Sequence, residues 1–156
     1  MSKKYWLFKS DPDEFSWEDL KKSKNKITFW DGIRNYQARN FIRDEMKKGD
    51  GVLFYHSSSD PLAVMGICEI IKEGYPDHTQ FDSKNDHFDP KADNKNPTWF
   101  MVDIKLLNEF KTPVTLYQIK ANPKLKNMKL VQRGQRLSVM PVTESEWNEI
   151  LKMGAP

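Results

Sequence analysis

Apolar and polar positions change rhythm several times along this chain, and each change predicts an element. Tyr5-Trp6-Leu7-Phe8 is a short apolar run that reads as a strand, and Lys9-Ser10-Asp11-Pro12 stops it because proline cannot continue a ladder. Ser16 followed by Asp19 marks a helix start, with Phe15, Trp17 and Leu20 as its contacts. Residues 27–30 form a short extended piece after a basic turn. Ala38, Phe41, Ile42 and Met46 then recur at helical spacing, which predicts a helix from about Asn35 to Lys48, ended by Gly49. Val52 to Ser57 alternates as a strand, one face toward the core and the other toward a cleft or a packed helix. Leu62 to Ile71 returns as its hairpin partner, with Gly66 marking a bulge, a bend or a close backbone approach.

Gly74 to Pro97 breaks the pattern. This stretch mixes Asp, Asn, Lys and Pro, and Tyr75, Phe81 and Phe88 predict that it folds down as a long surface loop able to wall a groove. Thr98 to Leu107 alternates as a further strand. Thr115 with Gln118, and Thr143 with Glu146, are capping boxes that open two more short helices, the last carrying Trp147, Ile150 and Leu151. Between them Arg133-Gly134-Gln135-Arg136 forms a basic turn leading into a short strand. Five or six strands and three or four short helices, without a βαβ rhythm, predict an α+β fold. The expected form is a curved, mostly antiparallel sheet, barrel-like, flanked by short helices.

Composition narrows the class. The 156 residues are enough for one domain spanning 1–156 with a real core, and 38% apolar with 12% aromatic residues excludes a disordered chain. The formal charge of +3, from 25 Lys and Arg against 22 Asp and Glu, permits a nucleic-acid partner without requiring one. Cys68, the sole cysteine, lies in an apolar run and is expected to be buried and inert. No apolar run reaches transmembrane length and no signal-peptide core follows Ser2-Lys3-Lys4, so an intracellular protein is expected. Without a coiled-coil pattern, a monomer is the default. His78 and His87 have no cysteine partner and the loop aspartates match no calcium pattern, so neither a metal nor another cofactor is expected.

The densest chemistry lies at Trp30-Asp31-Gly32-Ile33-Arg34-Asn35-Tyr36-Gln37-Ala38-Arg39-Asn40. Flat aromatic faces, guanidinium forks and directional amides and carboxylates suit a flat polar ligand, although a loop and helix start with Trp30 in the core would use the same residues. Nothing resembles a nucleophile with its base; Ser10, Ser57 and Ser138 sit in no nucleophile elbow. The rival readings are an enzyme using His56 or Asp11, and a protein–protein adaptor using the loop from Gly74 to Pro97.

Four separated segments carry a resemblance together: Tyr5–Pro12, Trp30–Asn40, Phe54-Tyr55-His56-Ser57 and Arg136–Thr143, with Tyr75-Pro76-Asp77 and Trp99–Asp103 also fitting. From about Tyr5 to Leu151 the chain resembles the EVE domain family. That resemblance implies a PUA-like pseudo-barrel similar to the YTH domain, and a non-catalytic reader of a modified base in DNA or RNA. The implied location is nuclear in a eukaryote and cytoplasmic in a bacterium. By likeness to the YTH pocket, the turn Lys9-Ser10-Asp11 meets the base edge, Trp30 stacks on its face and the Asp31 backbone adds an edge contact. An asparagine stands in the YTH pattern where Asp11 stands here. An ionised carboxylate only accepts, which favours an edge displaying an amino or imino donor. The strand end Tyr55-His56-Ser57 is expected to complete the pocket. Arg39, Arg133 and Arg136 are assigned to flanking phosphates, and Arg34, Asn35, Tyr36 and Ser138 to support.

Overall fold

The computed structural model describes residues 3–155. Strand β1 (Tyr5–Ser10) leads into helix α1 (Trp17–Lys22), and β2 (Ile27–Phe29) into α2 (Tyr36–Asn40). Then come β3 (Gly51–His56), β4 (Ala63–Pro76), β5 (Phe100–Thr115), α3 (Leu116–Ala121), β6 (Val139–Val142) and α4 (Glu144–Gly154).

The three expected boxes form. Ser16 Oγ accepts from the Asp19 amide at 3.0 Å while the Asp19 carboxylate accepts from the Ser16 amide at 2.8 Å. Thr115 with Gln118, and Thr143 with Glu146, make the same reciprocal pairs. Each box satisfies two amides that the first helical turn would leave open. The helix expected over residues 35–48 is shorter. After Asn40 it widens into a π-helical turn, Phe41–Glu45, and stops at Met46, whose backbone is extended. Ala38, Ile42 and Met46 still face inward, each 1% exposed or less.

The six strands form one mixed sheet in the order β2-β5-β4-β3-β1-β6. β1 and β3 run parallel, with Lys9 opposite Tyr55 and Ser10 opposite His56; the other neighbours are antiparallel. This corrects the expected PUA-like pseudo-barrel. Closure would require the two outer strands to pair. Among the described residues β2 pairs only with β5 and β6 only with β1, at opposite ends of the order, so the sheet stays open. Strand type and number follow from local alternation, whereas closure depends on which edges meet.

Both long strands outrun their apolar segments. β4 continues to Pro76 and β5 to Thr115 because each supplies the other's ladder, through several register shifts. One shift lies between Val64 and Gly66, and Gly66 is there for space. A Cβ on it would stand 2.5 Å from the Asn108 carbonyl oxygen and 2.6 Å from the Trp17 ring. β3 is central, and Gly51 to Tyr55 are all buried. Val52 to Tyr55 belong to the core with Trp6, Leu7, Phe8, Val102, Ile104 and Ile150. Among the described residues no helix is long and apolar enough to cross a membrane.

Candidate functional site

Beside the end of β1 lies a cleft of about 670 Å³, within the roughly 300–1,000 Å³ of small-ligand sites. Three backbone segments position it. The first is the β1 end and its turn, contributing Lys9, Ser10, Asp11, Glu14 and Phe15. The turn is closed by the Asp11 carbonyl, which accepts from the amides of Glu14 and Phe15, both at 2.9 Å. The Ser10 hydroxyl donates across it to the Phe15 carbonyl. The second segment, Thr28 to Ile33, brings Trp30 and Asp31, and the Trp30 amide fixes it to the Val102 carbonyl at 2.8 Å. The third is the long loop, which brings Asp86 and His87. Ser138 joins through its carbonyl, which accepts from the Lys9 amide at 2.8 Å.

Trp30 is 8% exposed, so it is floor as well as core. Its ring packs on Phe8 at 5.1 Å, Phe54 at 5.6 Å and Phe15 at 6.4 Å between centroids. Only a narrow strip is left for a ligand, with Phe15 and the exposed Phe29 adding aromatic wall. Asp11 Oδ1 accepts from the Asp13 amide at 2.9 Å, and its other oxygen has no protein donor among the described residues. Asp11, Glu14, Asp31 and Asp86 line the cleft against one ammonium, Lys9. Burial holds that ammonium below the ordinary lysine pKa. Such a lining repels a phosphate and favours a polar edge that donates hydrogen bonds.

Asp77 braces the site from behind. It is fully buried and accepts from the Gly32 amide at 2.8 Å, from Arg34 Nη1 at 3.1 Å, and from the Thr79 amide and hydroxyl. Burial pushes the Asp77 carboxyl up, but these donors outweigh burial and hold it below the usual carboxylate range. Gly32 itself requires its residue type: φ is +81° and a Cβ would stand 2.7 Å from the His87 ring.

Of the residues expected in the pocket, the cleft therefore gathers Lys9, Ser10, Asp11, Trp30 and Asp31, with Ser138 from the supporting set. Tyr55, His56 and Ser57 adjoin β1 but do not line it. Tyr55 is buried, and burial lifts its phenol to about 12. His56 Nε2 accepts from the Trp17 amide at 2.9 Å, where burial lowers the imidazole pKa and keeps it neutral. The Ser57 amide donates to the Ser10 carbonyl at 2.9 Å. Asn35 caps α2, accepting from the Ala38 amide at 3.0 Å. Arg34 is committed to Asp77 and to the His87 carbonyl, at 2.7 and 3.1 Å. Arg39 donates to the Thr98 carbonyl at 2.9 Å and lies over Tyr36, which is exposed and stacks on Trp99 at 5.0 Å. Arg133 and Arg136 are exposed on the segment leading to Ser138.

Sequence reasoning missed His87 and Asp86, although it assigned their loop to a groove wall. The readable signal was the pair Arg34 and Asp77, whose opposite charges pin that loop. Among the described residues no three His, Cys, Asp or Glu side chains are grouped to hold a metal.

The cleft at the end of β1 is aromatic and acid-lined, and a pair of half-buried Arg34 and buried Asp77 braces it. The EVE domain model matches residues 4–153, and the chain belongs to that family. Thymocyte nuclear protein 1 of Gallus gallus is 43% identical, the alignment covering 96% of this chain and 68% of that protein. A crystal structure of human THYN1 in complex with 5-methylcytosine-containing DNA superposes with a TM-score of 0.92, at 40% identity and 98% coverage of both chains. A hypothetical protein from Leishmania major superposes at 0.91, with 42% identity over 98% of this chain and 95% of that one.

Proposed function

We propose that this chain is a nucleic-acid-binding module that takes one modified base of DNA or RNA into the cleft and binds it without converting it. The observation that carries this reading is the free oxygen of Asp11 set in an aromatic cleft whose charged groups are mostly carboxylates. A cytosine-type edge presents an amino donor to such an oxygen. Kinship with the human protein bound to 5-methylcytosine DNA supports the same ligand class. Trp30 and Phe15 give the base its apolar contacts, and Lys9, Ser10 and Asp31 frame its edge. Since the cleft repels phosphate, Arg133 and Arg136 hold the flanking backbone from outside, with Arg39 and Tyr36 beside the loop. Tyr55, His56 and Ser57 support the β1 end from the adjacent strand. His56 serves α1 rather than a reaction, since its Nε2 is already the acceptor for a backbone amide.

A base must leave its stack to enter, at a cost of a few kcal/mol, so single-stranded or weakly paired sites bind best. The binding unit is one copy, with residues 1–156 acting as a single domain. Kinship with proteins named as nuclear supports an intracellular location, the nucleus in a eukaryote and the cytoplasm in a bacterium.

Competition anisotropy at fixed salt tests the reading, with 5-methylcytosine, 5-hydroxymethylcytosine, N6-methyladenine and plain oligonucleotides. One modified oligonucleotide should outcompete its plain counterpart. Asp11→Asn should reorder the preferences while the protein melts as before. Loss of a charged hydrogen bond is worth about 1.5–3 kcal/mol, roughly ten- to a hundredfold in affinity. Equal binding of modified and plain strands, unchanged in the variant, would overturn it.

A further inference from the structure

His87 belongs to the least regular part of the chain, yet its placement is fixed at the ring and at the carbonyl. Its ring lies against Gly32, so closely that any Cβ there would meet Cε1 at 2.7 Å and Nε2 at 2.8 Å. Its carbonyl is held by two nitrogens of Arg34, which Asp77 anchors in turn. Its ring nitrogens face different surroundings. Nδ1 is closed off from solvent without a hydrogen-bond partner and stands 3.5 Å from Asp31 Oδ2. That is longer than a normal hydrogen bond, but it sets the Asp31 carboxylate beside that nitrogen. Nε2 makes no hydrogen bond among the described residues and is not closed off as Nδ1 is, and His87 lines the cleft. The other charged groups of this lining are Asp11, Glu14, Asp86 and Lys9.

We infer that His87 is a specificity-determining residue of the cleft: Asp31 sets its neutral tautomer with the proton on Nδ1, so that Nε2 presents a lone pair to the ligand. A neutral imidazole has one donor and one acceptor, and fixing the donor fixes the acceptor. The cleft then meets its ligand with the Lys9 ammonium as a donor and, among its acceptors, the free oxygen of Asp11 and Nε2 of His87. Two acceptors select a base whose inserted edge carries a donor, a 4-amino pyrimidine over its 4-keto counterpart. The 4-keto base would set its own oxygen against both. This rests on the base-reading function proposed above, and it adds the residue that rejects the keto form.

The test uses the full chain and three variants of one residue. His87→Phe keeps a flat ring on Gly32 and removes both nitrogens. His87→Gln offers an amide oxygen where Nε2 stood. His87→Ala removes the wall. Each is titrated with single-stranded oligonucleotides differing at one position, 5-methylcytosine against thymine, and long-range proton–nitrogen NMR reads the His87 tautomer in the free protein. The expected result is an amino-over-keto preference that falls at least tenfold in His87→Phe and returns in His87→Gln, with melting temperatures of both close to the wild type. The free protein should show the Nδ1–H tautomer, lost in Asp31→Ala. An unchanged preference in a folded His87→Phe protein, or an Nε2–H tautomer, overturns the inference while base binding stands. A wild-type protein that binds neither oligonucleotide overturns both.

Discussion

Replacing Asp77 by alanine tests whether the cleft is braced as described. The carboxylate is fully buried and receives Gly32, Arg34 and Thr79. Its removal leaves the amides of Gly32 and Thr79 without an acceptor and the Arg34 guanidinium without its counter-charge. Breaking a buried pair costs about 3–5 kcal/mol. The Arg34 side chain is 24% exposed and keeps the carbonyls of Ile33 and His87, which moves the figure to the lower end, about 3 kcal/mol. For a chain of this size that is a fall of about 6–12 °C in Tm. Urea unfolding at pH 7, followed by tryptophan fluorescence, gives the free energy directly. The dependence on pH has a definite sign. The folded-state pKa of Asp77 lies below its unfolded value, so its contribution is fully present above the ordinary carboxylate pKa of about 3.9 and is lost as pH falls toward the lower folded value. The variant should lack that component of the acid-induced loss. A variant that unfolds within about 1 kcal/mol of the wild type at pH 7, or shows the same acid profile, would refute the bracing role.

Two further variants probe the elements behind the cleft. His56→Ala should cost about 1–3 kcal/mol by orphaning the Trp17 amide while leaving base preference unchanged; altered preference in a folded variant would return His56 to the site. Gly66→Ala should destabilise by about 2 kcal/mol or more, since its methyl meets the Asn108 carbonyl and the Trp17 ring, and a Tm equal to the wild type would contradict that packing.

The helix starts were legible because a capping box is complete within four residues, as at Ser16–Asp19 and Thr143–Glu146. The far ends of β4 and β5 were not, because residues such as Tyr75 and Glu109 are ordered by partners on the opposite strand rather than by their own neighbours. The same holds for the open sheet, where the pattern identified β2 and β6 without saying that they stand at opposite ends. In the site, Lys9 to Asp11 and Trp30 to Asp31 stood out as chemistry concentrated in short runs. For Tyr55 to Ser57 the pattern left a cleft and a packed helix both open, and neighbours distant in sequence decide between them: β3 sits between β4 and β1, and His56 is bonded to α1. His87 was hidden in a polar loop whose course is set by Arg34 and Asp77.

The place of β1 between β3 and β6 has a consequence for synthesis. Its parallel partner emerges from the ribosome early, but the strand on its other side, and the Ser138 carbonyl that receives the Lys9 amide, follow all the other strands. Pairings so distant in sequence form slowly and only once the intervening chain exists. A nascent chain can therefore carry Trp30, Asp11 and His87 in place while one edge of β1 is still bare. The cleft becomes competent late, and until then the bare edge is open to unwanted strand pairing.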